Sequence, residues 1–462
     1  MKYDLCVIGS GPAGQNAAIA AAKLDKKVIV IEKDSIGGLC QTGGTIPSKT
    51  LRDTAFFLSD FKGRTKHGIS STATNNIDLD RVKKRLDSIV IEGQESIYRN
   101  LDKNHIEMRI GKASFVNKNT IIVDDGAGGT ETVEAENILI AVGTSPHTPA
   151  NIQFDHKYIF DSNSILNLSF NARRMIIVGG GVIGCEYACI FAKLGVKVTL
   201  IEERNRLLPF LDEEISNALE FSMRDSGIAI KMCEKITAAK LNEKNEVIAT
   251  FESNKTIVSD ILLYTVGRFG NISSLNLDKL GVKSNDRGHI LVNENYQTEV
   301  PNIYAAGDII GIPSLASTSA MQGRLVSAHI FKQPFTPLDL NAIPYGIYTI
   351  PEISMVGETE ESLTRKKIPY EVGVGHFRET GKGQILGDRH GVLKILFHRE
   401  DLTVLGVHAI GDLATEIIHI GQAILKHHGT VNYFITTVFN YPTLAEVYKI
   451  AAQNGLNRLK NI

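Results

Sequence analysis

The sequence predicts an α/β protein: two Rossmann-like dinucleotide-binding domains followed by an α+β C-terminal domain. Three observations predict it. A strand-like run leads into G-x-G-x-x-G at residues 9–14, and the same grammar returns at residues 179–184. Past the prolines of 334–344 the pattern changes to strands first and helices after.

Residues 3–8 (YDLCVI) read as a buried strand, followed by a glycine turn, an Ala-rich helix to about Leu24 and a second strand over 27–32 (KVIVIE). In the turn, Gly9 allows the tight bend, Gly11 lets the backbone approach a pyrophosphate, and Gly14 lets the helix pack close to the strand. The helix N-terminus offers free N–H groups and its positive end to the phosphates. Ala17, Ala18 and Ala21 stand 3, 4 and 7 residues after Gly14, a small-residue face suited to close packing. Glu32 ends the second strand 23 residues after Gly9, where a carboxylate accepts hydrogen bonds from a ribose diol; Lys33 beside it is a further binding candidate.

The echo runs through a strand at 175–178, a turn with Gly179, Gly181 and Gly184, a helix over 185–194 and a strand over 197–202. Glu202 stands 23 residues after Gly179, and Tyr187, Ala188 and Phe191 repeat the packing face. Two such units imply two dinucleotides with redox chemistry between them: a flavin held permanently and a nicotinamide that comes and goes. Pro146-His147-Thr148-Pro149, after a strand at 138–142, starts the passage to the second unit, and a strand near 303 ends in Gly307-Asp308. In the terminal domain strands are expected at 371–377, 392–397 and 403–409, and helices at 415–426 and 444–458.

Composition excludes several classes. Lys and Arg number 50 against 51 Asp and Glu, a net charge of −1, which argues against a nucleic-acid footprint spread over the protein. No apolar run approaches the roughly 18 residues of a membrane span. The N-terminus reads as a strand and glycine turn instead of a signal peptide, and five scattered cysteines make no disulfide framework, so a reducing, cytoplasmic setting is expected. Cys185 and Cys189 share a helix face without further ligands nearby and read as packed core thiols, so no metal site is expected; Cys6 and Cys233 read as buried small hydrophobes.

Residues 37–49 (GGLCQTGGTIPSK) resemble the redox segment of the pyridine nucleotide–disulfide oxidoreductases, whose pattern G-G-x-C-x4-C-x-P-S-K places a redox disulfide beside a flavin. Cys40 keeps the first cysteine. Thr45 stands at the second and forms no disulfide, which removes thiol–disulfide exchange at this site. The disulfide-reducing members carry H-P-T-x-x-E near the C-terminus; here Tyr441 precedes Pro442-Thr443, and a phenol with a reference pKa of about 10 is a poor proton shuttle at neutral pH. One branch, the soluble FAD-containing (Si-specific) pyridine nucleotide transhydrogenases, carries both replacements. The chain is similar to it from about residue 3 to 459, including GVIGCEYA (181–188), GIYTIPEIS (346–354) and NYPT (440–443).

The resemblance implies one tightly bound FAD per subunit, with NAD and NADP as substrates of NADPH + NAD⁺ ⇌ NADP⁺ + NADH, ping-pong through reduced flavin without a redox disulfide. It implies that Gly38, Cys40 and Thr45 lie by the flavin, that Gly307-Asp308 is a second flavin motif, and that Gly143 and Gly267 mark crossovers between domains. Lys49 and Glu186 match a pair near the flavin where the nicotinamide stacks, and a cation there stabilises reduced flavin. The implied domains are 1–148 with 268–338 for FAD, 149–267 for NAD(P), and 339–462 for the interface of at least a homodimer. Glu202 and Glu203 favour the 2′-OH of NAD, whereas Arg204 and Arg206 offer charge to the 2′-phosphate of NADP, a compromise site unless both arginines are simply solvated. The alternatives are an NADH oxidase or diaphorase and a dinucleotide-binding sensor.

Overall fold

In the computed structural model the described residues are 2–63, 79–170 and 172–460. The apolar run Lys2–Ile8 is central in its sheet because it is flanked on both sides: it pairs in parallel with Val28–Glu32 and with Thr130–Ile140. Ile303–Ala305 pairs in parallel with the end of Thr130–Ile140, and Glu107–Ile110 with Val28–Glu32. All these strands point the same way, so Gly9, Glu32, Val142 and Gly307 follow their strands at one edge, where α/β sheets bind ligands. Helix Pro12–Ala22 opens with proline in its first turn, where a missing N–H costs nothing.

The second unit repeats the plan. Arg174–Val178 lies between Lys197–Ile201 and Ile261–Tyr264 in a five-stranded parallel sheet, with helix Val182–Lys193 following the glycine turn. The two crossover segments pair with each other, Thr144–Pro146 antiparallel to Arg268–Gly270.

The terminal domain is a five-stranded antiparallel sheet in the order Tyr345–Ile347, Glu352–Gly357, Val404–Gly411, Val392–His398, Tyr370–His376. Helices Ala414–Lys426 and Val447–Lys460 follow its strands. The first two strands and the helix Glu360–Lys366 were not expected, since their proline-flanked segments are too short to show a period.

Other differences have local causes. The strand expected at 138–142 spans Thr130–Ile140, because its first half pairs with the hairpin strand Thr120–Asp124. Cys6, Cys185 and Cys189 are buried, but Cys233 is exposed. It occupies a left-handed turn position, φ 57°, after strand Ala229–Lys231, outside any packed layer. No described helix is long and apolar enough to cross a membrane.

Candidate active site

The three glycines of each turn have different surroundings. Gly9 and Gly179 have φ of +105° and +109°, in the left-handed region that favours glycine. A Cβ on Gly14 would lie 1.9 Å from the Gly9 carbonyl oxygen, and one on Gly184 would lie 1.8 Å from that of Gly179, so here helix and strand pack backbone to backbone. A Cβ on Gly11 or Gly181 would meet nothing within 4 Å: each faces open space at a helix N-terminus, as a pyrophosphate cradle requires.

The first cradle opens into a cavity of about 420 Å³. Gly9, Gly11, Glu32, Lys33 and Gly38 line it, and so do Cys40, Thr45, Gly143, Gly307 and Asp308; Gly14 lies behind the turn. Glu32 is buried, with Oε2 accepting from the Ser10 N–H (2.8 Å) and hydroxyl (2.7 Å) and Oε1 from the N–H groups of Lys33 (2.9 Å) and Asp34 (3.2 Å). Its charge is thus solvated by the turn, which it orients. Burial pushes the Asp308 carboxyl up, with Arg268 opposing, and Arg268 is itself held by the Thr144 hydroxyl (2.8 Å) and carbonyl (2.6 Å). The sequence reading missed Lys112, Asn163, Asn271 and Ser319, which line the same cavity from four separate segments and belong to no motif.

Cys40 lies on helix Gly38–Thr42 and Thr45 begins helix Thr45–Gly63, so the two positions of the family's cysteine pair are adjacent. Burial raises the Cys40 thiol pKa, with the nearby Thr45 hydroxyl opposing, so the thiolate form is disfavoured. Tyr441 is exposed on the terminal domain, near Gly381, and is not among the residues lining the cavity.

Lys49 and Glu186 are brought together from two helices, Thr45–Gly63 and Val182–Lys193. The Lys49 Nζ lies 2.6 Å from Oε2 of Glu186, which is 4% exposed. Lys49 lies near the start of its helix and reaches inward to the pair. The other Glu186 oxygen accepts the Tyr348 N–H at 2.8 Å, and the Lys49 ammonium stands 5.1 Å from the Tyr348 ring centroid. Tyr348 comes from the terminal domain and was not singled out in the sequence.

At the end of the second unit the acidic and basic residues part company. Glu202 is buried and accepts from the Gly180 N–H (2.6 Å), the Arg204 N–H (2.8 Å) and the Arg204 guanidinium through Nε (2.8 Å) and Nη2 (2.9 Å). Burial raises its pKa, and Arg204 more than reverses this, holding it below the usual carboxylate range. Glu203 is exposed and paired with Lys235 at 3.3 Å. Arg206 turns away to Glu361 (2.6 Å) and the Pro209 carbonyl (2.7 Å). Gly267, φ +85°, accepts the His147 N–H through its carbonyl at the crossover.

Two dinucleotide cradles with a part-buried Lys49–Glu186 ion pair define an oxidoreductase that works between a flavin and a nicotinamide. Residues 3–323 match the pyridine nucleotide-disulphide oxidoreductase model and residues 343–452 its dimerisation domain, and the chain belongs to the pyridine nucleotide-disulphide oxidoreductase family. Among its relatives, proteins named soluble pyridine nucleotide transhydrogenase are 46% identical in Marinomonas sp. and 44% in Hahella chejuensis, covering 99% of both chains in each case. Another, from Mycobacterium tuberculosis, is 42% identical over 99% of this chain and 98% of its own. Among solved structures, LpdA from Mycobacterium tuberculosis superimposes with a TM-score of 0.92 at 26% identity, covering 97% of this chain and 99% of that one. The HOCl-induced flavoprotein disulfide reductase RclA from Escherichia coli gives 0.88 at 26%, covering 98% and 99%.

Proposed function

We propose that this flavoprotein is a soluble pyridine nucleotide transhydrogenase catalysing NADPH + NAD⁺ ⇌ NADP⁺ + NADH in a ping-pong cycle at one nicotinamide site. The observation that carries this reading is Thr45, at the start of the helix that follows Cys40, where a disulfide-reducing relative would have its second cysteine. Electrons that reach this cradle then have no dithiol to leave by. The full-length similarity to proteins of that name supports the same reading.

The first cavity fits FAD by its open Gly11, its ribose-facing Glu32 and its half-buried Asp308. FAD, when bound, supplies the two-electron acceptor and donor for hydride. The chain's own residues bind and orient. Gly9, Gly11 and Gly14 shape the first cradle, with Gly38, Gly143 and Gly307 completing its walls. Gly179, Gly181 and Gly184 shape the second, and Glu202 with Arg204 forms its ribose end. With FAD bound, the Lys49 ammonium, aimed by Glu186, would supply positive charge that stabilises the reduced flavin.

In this reading 1–148 and 268–338 hold FAD, 149–267 holds the nicotinamide dinucleotide, and 339–462 forms a homodimer interface. The return of Ile303–Ala305 to the first sheet supports the discontinuous domain. The match to a dimerisation domain and the exposed Val438 and Tyr441 support the interface.

Anaerobic reduction of thio-NAD⁺ by NADPH with the FAD-loaded protein tests the function. Rapid turnover with parallel-line kinetics is expected. Flavin reduction by NADH with none by NADPH overturns the reading in favour of an NADH oxidase or diaphorase.

A further inference from the structure

The Lys49–Glu186 pair is completed by the terminal domain. Both Glu186 oxygens are engaged, one by the Lys49 ammonium and the other by the Tyr348 N–H. Glu186 cannot rotate its carboxylate without breaking one of these bonds. The Tyr348 ring also stands within cation–π distance of Lys49, so one residue constrains both partners.

The segment carrying Tyr348 is itself tied down. The Tyr348 ring lies beside Thr415: both come within 4 Å of where a Cβ on Gly346 would stand. Thr415 donates from its hydroxyl to the buried Glu352 (2.7 Å). Glu352 pairs with Arg52 at 3.0 Å, one turn beyond Lys49 on the same helix. Helix Thr45–Gly63 is thus linked to the terminal domain at both Lys49 and Arg52.

We propose that Tyr348 is a positioning residue for hydride transfer, holding the Lys49 ammonium and Glu186 carboxylate in register from the terminal domain. The inference rests on the proposed function, because it assigns Lys49 to the hydride-transfer site. Tyr348 touches no reacting atom and acts through the pair.

The test compares Tyr348→Leu, which keeps the backbone N–H but removes the ring, with Tyr348→Phe, which keeps the ring. In the FAD-loaded protein, single-turnover flavin reduction by NADH is expected to slow on the order of 10-fold in Tyr348→Leu, with the Kd for NADH unchanged and Tyr348→Phe close to wild type. In the FAD-free protein, acetic anhydride labelling read by peptide mass spectrometry is expected to modify Lys49 several-fold faster in Tyr348→Leu than in wild type or Tyr348→Phe, relative to exposed Lys2. Equal rates of flavin reduction and equal Lys49 labelling across the three proteins overturn the inference, as does Tyr348→Phe behaving like Tyr348→Leu. A wild-type protein without NADPH-to-thio-NAD⁺ turnover fails the function instead, and the Lys49 labelling still reports on the positioning.

Discussion

Arg204 forks onto Glu202, its Nε 2.8 Å from Oε1 and its Nη2 2.9 Å from Oε2, so the carboxylate that follows strand Lys197–Ile201 carries its own counter-charge. Arg206, two residues on, is spent on Glu361 and the Pro209 carbonyl. The two arginines that look alike in sequence are therefore not equivalent, and only Arg204 stays beside Glu202.

Arg204→Leu leaves the Glu202 charge unpaired and removes the cation offered to a 2′-phosphate. The KM for NADPH is expected to rise roughly 10- to 100-fold, the worth of a charged hydrogen bond, while that for NADH changes by less than about 3-fold. Arg206→Leu is expected to leave the NADPH-to-NADH ratio of KM values unaltered. Steady-state kinetics of both variants decides this, and a selective NADPH defect in Arg206→Leu would reverse the assignment.

The glycine turns predict two distinct failures. A Cβ at position 14 would meet the Gly9 carbonyl at 1.9 Å, whereas one at position 11 meets nothing within 4 Å. Gly14→Ala is expected to destabilise the FAD-free protein by about 1–3 kcal/mol through overpacking. Gly11→Ala is expected to leave the FAD-free melting temperature near wild type and to weaken FAD binding, because its methyl enters the cradle. Thermal melts and fluorescence titration with FAD separate the two outcomes.

A buried ion cluster joins the second unit to the terminal domain. Lys394, 1% exposed, reaches Asp212 (2.9 Å), Glu214 (2.7 Å) and Glu360. Burial works against the Lys394 charge, but the three carboxylates outweigh it and its pKa is raised; burial likewise works against the Asp212 charge, but His408 and Lys394 lower its pKa. A raised lysine stabilises fully below its unfolded pKa of about 10.4 and loses that contribution as pH rises through the folded value. A depressed aspartate stabilises above about 3.9 and loses its contribution as pH falls through the folded value. The contribution of Lys394 and Asp212 is therefore flat from about pH 4 to 10, whereas the buried His408, its pKa lowered by burial, costs stability as pH falls below its unfolded value of about 6.5. Lys394→Met is expected to cost about 3–5 kcal/mol at pH 7, as for any buried pair broken from one side. The gap to wild type should narrow toward pH 4, as the stranded carboxylates take up protons. Urea denaturation across pH measures both, and a gap independent of pH would show that the carboxylates are solvated.

What the sequence determined by itself is what lies within one βαβ unit. Gly9, Gly14, Gly179 and Gly184 were legible because backbone conformation and close packing admit only glycine there, and Glu32 and Glu202 because they end strands a fixed distance further on. Thr45 beside Cys40 was legible from the resemblance of a contiguous segment. Tertiary structure alone decided the partners that chain proximity does not specify. Glu186 is bonded by Lys49 from 137 residues away and by Tyr348 from 162, and Arg206 is removed from the ribose end by a glutamate 155 residues on. Arg204, two residues from Glu202, needs no such partner to be held. Local conformational rules act over a few residues, whereas these contacts follow from which strands pair and which helices pack, and a side chain's role at the site is set by whichever group that packing brings within hydrogen-bond distance.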